Sequence, residues 1–479
     1  MNDTSFFWHD YETFGRVPRR DAPAQFAGVR TDADLNEIDA PVMVYCQPPR
    51  DRLPEPEACL LTGIVPQTCA EQGLPEHEFA ALVHEHLARP GTIGVGYNSI
   101  RFDDEVTRFL FWRNLLDPYG REWQNGCGRW DLLDVVRCAY ALRPEGIVWP
   151  RHEDGSASFK LEHLTQANGI GHANAHDALS DVRATIALAR LIKQQQPRLW
   201  DFCLKLRKKE AVWTEIGVGK PFLHVSGMYG TERGCIALVW PLAPHPTNKN
   251  ELIVWDLSVN PELLRGLSSE DLKARIFTRQ DMLPEGVSRL PIKTIHVNKS
   301  PVVIGQIKAL SDAQAQRWGL DVAQALSHAQ ALAQWGRELD GLWGEVFHRD
   351  FDSASTDVDE DLYGGFVGNT DRRRLERLRT QSPQALAQQT ASGGLGFEDP
   401  RLEELVFRFR ARNWPQYLSE AEQQRWVRHC QQRLSSETMA RYMDHLDALG
   451  QEYEQSEDAA AQRSVEIVGA LMDWASELA

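Results

Sequence analysis

The stretch that decides the fold is Phe6-Phe7-Trp8-His9-Asp10-Tyr11-Glu12-Thr13-Phe14. Aromatic residues with polar residues between them are typical of a partly buried β-strand. Asp10 and Glu12 are two residues apart, so on a strand both carboxylates project from the same face. Such carboxylates repel each other unless a cation lies between them, and Mg²⁺ prefers carboxylate oxygens. The stretch therefore indicates a metal-binding strand, with an ordinary exposed strand face as the alternative.

The residues that follow this strand alternate between strand and helix patterns up to about residue 195. Further strands are predicted over 25–30, 41–46 and 92–97, and helices over 76–88, 104–116 and 177–194. The last helix has the clearest 3.6-residue spacing of apolar side chains. Strands interleaved with helices predict an α/β segment with a central sheet covered by helices.

The texture of the sequence changes beyond residue 196. Residues 210–305 hold short β-like runs between Pro and Gly, as in a small barrel, and helix returns near Asp312. Residues 350–361 are acidic and rich in Ser and Thr, which suits a flexible linker. We predict an α/β domain over 1–196, a mostly β domain with helical additions over 197–349, an acidic linker over 350–361 and an all-helical domain over 362–479.

The composition is that of an ordinary globular protein. The chain has 479 residues, of which 42% are hydrophobic and 25% charged, which argues against disorder and collagen-like repeats. No window of about 20 residues is free of charge, and the N-terminus has no basic region. We therefore expect no membrane helix, no signal peptide and a cytoplasmic location. Eight scattered cysteines form no C-x-x-C pair, which favours reduced thiols over a zinc site.

The net charge of −16 speaks against a wholly basic nucleic-acid-binding protein. A locally basic groove remains compatible with it, because the charge of the whole chain averages such a groove away. Clustered carboxylates, which metal-dependent nucleases require, are a second source of acidity.

Three further residues of the first segment can take part in metal chemistry. Asp103 ends Asn98-Ser99-Ile100-Arg101-Phe102-Asp103, at the start of a predicted helix, where a carboxylate is also a routine cap. His176 and Asp181 form H-x-x-x-x-D at the start of the 177–194 helix. His176 could deprotonate a water while Asp181 reaches a metal ion. A surface histidine and a carboxylate that favours the helix dipole are the alternatives.

The order and spacing of these motifs resemble the DEDDh family of 3′→5′ exonucleases. In that family a strand D-x-E is followed by N-x-x-x-F-D and then by H-x-x-x-x-D. Longer runs are similar to bacterial exonuclease I in particular, and the similarity covers essentially the whole chain. These runs are 9–15, 101–108, 129–135, 141–147, 224–228 and 410–415.

The resemblance implies a fold and an activity. The fold is a ribonuclease H-like (DnaQ-like) α/β exonuclease domain, followed by an SH3-like β-barrel domain with helical additions and an all-helical C-terminal domain. The activity is processive 3′→5′ degradation of single-stranded DNA to 5′-mononucleotides in DNA repair and recombination. The cofactor is a pair of Mg²⁺ ions, for which Mn²⁺ could substitute.

By the same resemblance, the catalytic residues are Asp10, Glu12, Asp103, His176 and Asp181. Asp10 would bridge two metal ions, Glu12 and Asp181 would complete one site, and Asp103 would complete the other through water. His176 would be the general base, since a pKa near neutrality suits that role.

Substrate contacts are less specified by the sequence. In the family the stretch Glu12-Thr13-Phe14 holds the 3′-terminal nucleotide, and Arg143 is a further candidate. Aromatic side chains could stack on bases. The candidates are Phe102, Trp112, Trp123, Trp130 and Trp414. Basic clusters that could follow phosphates, or be solvated helix faces, are Arg16 with Arg19-Arg20, Lys205 with 207–209, and Arg408-Arg410-Arg412. Asp131 and Asp134 are interpreted as structural.

The resemblance also implies a partner, the acidic, Phe-ending C-terminal tail of bacterial single-strand-binding protein. Such a tail needs a basic rim and an apolar pocket, which the family places where the exonuclease and SH3-like domains meet. Arg143 and Gln306 match the family's pocket. Phe202 stands where the family has a tyrosine, and Ser311 stands near the place of a second arginine. The residues that could restore the charge are Lys220 and Lys308. We expect a monomer that does not act on membranes.

Two other functions are compatible with parts of the sequence. An RNA exonuclease of the same superfamily would share the metal motif, because RNA differs from DNA at the 2′-hydroxyl and not at the phosphate. A catalytically inactive DNA-binding scaffold is disfavoured, because all five catalytic positions are intact.

Overall fold

The computed structural model describes residues 4–171, 177–217, 219–348, 356–391, 393–455 and 458–479. The chain divides into two compact units. The first consists of Met1–Gly128, Ala173–Arg183 and Ser353–Ala479, and the second of Arg129–His172 and Ala184–Asp352. Among the described residues, no helix combines the length and the apolar character needed to cross a membrane.

The strands are β1 (Ser5–Thr13), β2 (Pro23–Thr31), β3 (Val42–Tyr45), β4 (Thr92–Gly96), β5 (Gly128–Asp131), β6 (Phe222–Val225), β7 (Ile236–Pro244), β8 (Glu251–Asp256), β9 (Ile292–His296) and β10 (Val302–Ile304). The helices of the first half are α1 (Pro56–Thr62), α2 (Pro66–Gln72), α3 (Glu76–Ala88), α4 (Asp103–Arg113), α5 (Leu132–Leu142), α6 (Leu161–Ala167), α7 (Ala178–Gln195), α8 (Pro197–Lys205) and α9 (Lys209–Ile216). Those of the second half are α10 (Ser269–Phe277), α11 (Asp312–Arg317), α12 (Val322–Trp335), α13 (Trp343–Val346), α14 (Asn369–Arg379), α15 (Pro383–Ala391), α16 (Arg401–Asn413), α17 (Glu420–Arg433), α18 (Ser436–Glu454) and α19 (Ala459–Leu478).

The sheet of the first unit is built around β1. This strand pairs antiparallel with β2 and parallel with β4, and β2 pairs antiparallel with β3. The predicted α/β character of the first segment is confirmed, and each strand predicted there is present. The strand order places β1 in the interior of the sheet, where both of its edges are hydrogen-bonded.

The two faces of β1 differ, since one is aromatic and buried and the other carries the carboxylates. Phe7 and Tyr11 lie in an apolar cluster with Phe26 of β2 and with the inner faces of α3 and α4. Since successive side chains of a strand alternate between faces, Asp10 and Glu12 project from the opposite face. Burial of the aromatic face therefore fixes the direction in which the two carboxylates point.

The helical C-terminal segment packs on the same unit. Phe109 and Trp112, on α4, join a core cluster with leucines of α14 and α16, and the Trp112 indole donates a hydrogen bond of 2.7 Å to the Val358 carbonyl. A second cluster joins Phe14 and the start of β2 to α18 and α19. The helix that begins at Asp103 is thus held from both sides by apolar contacts.

Residues 356–361 differ from the flexible linker expected for 350–361. Val358–Glu360 form a 3₁₀ turn, and Asp359 is fully buried at 0% exposure. Its carboxylate accepts hydrogen bonds from Arg52 at 3.0 Å and from Arg408 and Arg412. Burial opposes ionisation, but the guanidinium groups, led by Arg412, outweigh it and hold the pKa of Asp359 well below its usual range. Residues 350–355 lie outside the described residues.

The prediction that Arg408, Arg410 and Arg412 follow phosphates is wrong, because these side chains form ion pairs inside the protein. Arg408 and Arg412 pair with Asp359, and Arg410 pairs with Glu422. All three side chains are largely buried, so their charges are used inside the protein. Arg408 also pairs with Glu404 at the i,i+4 spacing on the same helix, whereas Asp359 is about fifty residues away in the chain, so no local pattern could reveal that buried partner.

The second unit contains a five-stranded antiparallel sheet in the order β10-β6-β7-β8-β9. Its inner face buries Phe222, Val239, Val254, Ile295 and Val303. The predicted mostly β module with helical additions is confirmed. The sequence did not reveal β10, a strand of three residues. The exact domain boundaries stay predictions.

Candidate active site

Three of the predicted metal ligands lie together. One carboxylate oxygen from each of Asp10, Glu12 and Asp181 can be chosen so that all lie within 4.8 Å of one another. Asp10 and Glu12 come from β1, and Asp181 comes from the first turn of α7. Oxygen ligands only, with no sulfur or imidazole among them, suit Mg²⁺, Mn²⁺ or Ca²⁺. The residues therefore fit a divalent cation.

Asp103 is held beside this cluster by β1 itself. The backbone N–H of Tyr11, between the two strand carboxylates, donates a 3.1 Å hydrogen bond to Asp103 Oδ1. Thr107, one turn later on α4, donates to the Asp103 carbonyl at 2.8 Å, and its hydroxyl lies 3.0 Å from that of Tyr11. The N-cap position of α4 is residue 102, so Asp103 is the first residue of the helix.

The start of α7 sets the position of Asp181. The Asp177 carboxylate accepts a 3.1 Å hydrogen bond from the Ser180 N–H, as an N-cap residue does. Sequence reasoning missed this role of Asp177, although an aspartate directly before the first helical residue is an N-cap signal. His176, the predicted general base, lies outside the described residues.

The electrostatics of the cluster explain why it needs a cation. Burial raises the pKa of Glu12 to about 8, with Asp181 and Asp103 the next largest contributors. Burial also raises the pKa of Asp10 well above its usual value, and the largest charged contributor is Asp103. Without a cation the ionised forms of both carboxyls are disfavoured, and Glu12 is mostly protonated at neutral pH. With a cation bound, their ionised forms are favoured.

The predicted substrate residues beside the carboxylates are largely buried. The Thr13 hydroxyl donates to the Gly15 carbonyl at 2.7 Å. The Phe14 ring is 5% exposed and packs in the core with Ala22, Ala24 and residues of α19. Most of the ring is committed to the core, so a base would have to contact its remaining edge or its backbone.

The predicted partner residues line one cavity, inside the second unit. This cavity has a volume of about 1050 Å³, and Arg143, Phe202 and Gln306 all lie on its wall. Apolar residues of the wall include Leu142, Ile216, Pro221 and Ile304. Gly305 is required there, because a Cβ atom would lie 2.4 Å from the Glu215 carbonyl oxygen.

The charge on the cavity wall differs from the expectation. Lys220 lines the cavity, whereas Lys308 is not among the lining residues. Arg198, which sequence reasoning missed, adds a third cation to Arg143 and Lys220. Ser311 is the N-cap of α11 and forms a capping box with Gln314, which explains what a serine does at that position.

The raised carboxyl pKa values predict proton release on metal binding. Glu12, with a pKa of about 8, is mostly protonated at pH 7, so Mg²⁺ must displace about one proton. The share of this release that comes from Glu12 should fall towards zero by about pH 9.5, above that pKa. Since this pKa lies above the ordinary value of 4.5, the metal-free protein should lose stability as the pH rises from that value to about 8, and no more of it above that pH. Calorimetry in two buffers of different ionisation enthalpy measures the release. Glu12→Gln should release fewer protons, and no release from the native protein at pH 7 would contradict the assignment.

The family models that match the chain cover nearly all of it. The model described as "Exonuclease" matches residues 7–189, "Exonuclease I SH3-like domain" matches 207–349, and "Exonuclease I C-terminal domain" matches 356–478. Asp10, Glu12, Asp103 and Asp181 all fall in the first match. The ribonuclease H-like, SH3-like and helical parts predicted from the sequence are confirmed.

Curated relatives and solved structures agree. Exodeoxyribonuclease I of Haemophilus influenzae is 45% identical over 91% of each chain, and that of Escherichia coli is 42% identical over 100% of each chain. E. coli exonuclease I in complex with a dA16 oligonucleotide has a TM-score of 0.93 at 42% identity, covering 99% of this chain and 100% of that chain.

Two further structures bear on ligands. A zinc-bound form of the E. coli exonuclease I complex with single-stranded DNA has a TM-score of 0.91 at 42% identity, with 99% of each chain covered. A structure described as SSB/exonuclease I in complex with the inhibitor CFAM has a TM-score of 0.90 at 41% identity, with 100% of each chain covered. Full-length similarity at this identity, together with the four placed carboxylates, shows that the chain belongs to the exonuclease I family.

Proposed function

We propose that the protein degrades single-stranded DNA from its 3′ end to 5′-mononucleotides with two Mg²⁺ ions. The observation that carries this proposal is the close cluster of Asp10, Glu12 and Asp181, with Asp103 fixed beside it by the Tyr11 backbone. Family membership supplies the substrate class. A monomer that works in the cytoplasm, in DNA repair and recombination, is part of the same proposal.

Each residue of the site has a role in this proposal. Asp10 would be shared by the two ions, Glu12 and Asp181 would hold one, and Asp103 would hold the other through water. Bound Mg²⁺ would supply an activated water and stabilise the charge that develops on the phosphate and the leaving oxygen. His176 would take the proton from the attacking water, an assignment that its place in the H-x-x-x-x-D motif supports.

Replacing Asp10 tests the central role. Asp10→Asn should lower Mg²⁺-dependent cleavage of oligo-dT by about 10²–10⁴-fold, since several kcal/mol of transition-state stabilisation is lost. Binding of oligo-dT in EDTA should persist, because phosphate contacts and stacking do not need the metal. Glu85→Gln, an exposed carboxylate of the same unit, is the matched control and should keep full turnover. Near-normal turnover of Asp10→Asn would refute the metal assignment.

The exposed aromatic side chains of the first unit identify where bases could stack. Of the candidates from sequence, Trp112 and Trp130 are buried, and Phe102 and Trp414 pack against core clusters. Trp123 is 65% exposed. Phe366, which sequence reasoning missed, is 81% exposed, and the Arg372 guanidinium lies 5.1 Å from its ring centre. The Phe366 ring therefore has enough exposed area to stack on a base beside the guanidinium.

The chain around Phe366 contacts α4 through Tyr363 and continues into a basic helix. Tyr363 is exposed, and its hydroxyl donates a hydrogen bond to Glu105, in the same first turn of α4 as Asp103. Phe366 follows three residues later, and α14 then presents five arginines against two carboxylates. Arg373, Arg377 and Arg379 of that helix are exposed. Aromatic platforms beside guanidinium groups are typical of sequence-tolerant binding of single strands.

Truncating an aromatic ring tests this surface. Phe366→Ala or Trp123→Ala should weaken oligo-dT binding in EDTA by about 5–150-fold, which corresponds to the ~1–3 kcal/mol of one stacked base. Turnover at saturating DNA should change little, because neither residue belongs to the carboxylate cluster. Val427→Ala, another exposed apolar residue of the first unit, is the control. Affinities equal to that of the control would show that the strand runs elsewhere.

The cavity of the second unit fits the acidic tail of single-strand-binding protein. Arg143, Arg198 and Lys220 can face its carboxylates, while Leu142, Phe202 and neighbouring apolar residues can receive a terminal phenylalanine ring. Phe202 lacks the hydroxyl of a tyrosine and Ser311 lacks a guanidinium, so binding should be weak and sensitive to salt.

Replacing one arginine of the cavity tests whether the acidic tail binds there. Arg143→Ala should lose most binding of an acidic peptide that ends in Phe, and Arg198→Ala should lose part of it, as measured by fluorescence anisotropy at low salt. Because Arg143 and Arg198 line the cavity of the second unit and the metal carboxylates belong to the first unit, cleavage of bare oligo-dT should persist in both variants, although the sequence also made Arg143 a candidate substrate contact. Arg279→Ala, an exposed arginine of the same unit away from the cavity, should bind the peptide normally. Unchanged affinity of Arg143→Ala would place the peptide outside this cavity.

A further inference from the structure

Gln25 lies on β2 directly opposite Glu12 in the antiparallel register of β1 and β2. Residues that face each other in such a pair project from the same side of the sheet. The Gln25 side chain therefore points to the side that carries the metal carboxylates, and it is 2% exposed. A buried amide at this position must find hydrogen-bond partners within the protein.

The Gln25 amide joins the sheet to the helix that carries Asp181. Its Oε1 accepts a hydrogen bond of 3.3 Å from the N–H of Ala178, the first residue of α7. Helix-initial N–H groups have no partner inside their own helix, so this bond caps α7 from a separate element. Its Nε2 lies 3.4 Å from the Met43 sulfur, a weak acceptor. The amide orientation follows, because the reverse would set two donors against each other.

This hydrogen bond holds the start of α7, and with it Asp181, against β2. Asp181 lies three residues after Ala178, one helical turn into α7. Glu12, its partner in the cluster, lies beside Gln25 on the adjacent strand. A shift of α7 along the sheet would change the separation between Asp181 and the β1 carboxylates. Mg²⁺ tolerates such changes poorly, because it demands near-ideal octahedral geometry.

We propose that Gln25 is a positioning residue that sets the affinity of the site for divalent metal by holding the first turn of α7 against β2. The proposal rests on the proposed function only in taking the carboxylates as metal ligands. A purely structural role for Gln25 would lower thermal stability and leave metal affinity unchanged. Metal binding, measured without DNA, therefore separates the two roles.

The test is Mn²⁺ binding to the full chain by isothermal titration calorimetry. Gln25→Met keeps the length of the side chain and removes the acceptor, and it should weaken Mn²⁺ binding by about 10–100-fold, as loss of an outer-shell partner does. Met43→Leu removes only the sulfur contact and should bind Mn²⁺ normally.

A second variant removes the donor in place of the acceptor. Ala178→Pro deletes one N–H at the first helical position, where proline is tolerated, and should reproduce the loss seen in Gln25→Met. Native Mn²⁺ affinity in both Gln25→Met and Ala178→Pro would overturn the proposal, as would an equal loss in Gln25→Met and Met43→Leu. If the native protein binds Mn²⁺ but leaves oligo-dT intact, the proposed function fails while the comparison among the variants still decides the role of Gln25.

Discussion

Repulsion among carboxylates is the constraint on which the site depends. Asp10, Glu12 and Asp181 are held close together, and Asp103 adds its charge from the start of α4. Burial and the neighbouring carboxylates raise the pKa values of Asp10 and Glu12. In an isolated, solvent-exposed strand these shifts would be absent. Such an arrangement is stable with its charges intact only when a cation neutralises them. Binding of a divalent cation to the folded protein is therefore strongly favoured, because it relieves this repulsion.

Three elements must keep their positions for this preference to exist. The aromatic face of β1 locks the strand against α3 and α4, which turns the even-numbered carboxylates to the other side. The Tyr11 N–H then reaches across to Asp103, and the Gln25 amide reaches across to α7. Helices of the C-terminal segment pack on the outer side of α4. Distant parts of the chain thus contribute to the geometry of one small site through α4.

Much of this arrangement could be predicted from local patterns, and the remainder could not for identifiable reasons. The period of two places Asp10 and Glu12 on one face, and helical spacing predicts α7 within one residue at each end. The role of Asp103 was ambiguous, because a cap and a ligand beside β1 look alike until the Tyr11 contact is known. Arg408 and Arg412 were misinterpreted because Asp359, their buried partner, is about fifty residues away in the chain.

The central claim is that the four carboxylates bind the catalytic metal, and direct observation of the ion tests it best. Crystals of the protein soaked in Mn²⁺ would be measured at the manganese absorption edge. We predict anomalous density bounded by the carboxylate oxygens of Asp10, Glu12 and Asp181, and its loss in Asp10→Asn. Absence of density there in the native protein, while Mn²⁺-dependent cleavage of single-stranded DNA proceeds in solution, would contradict the assignment.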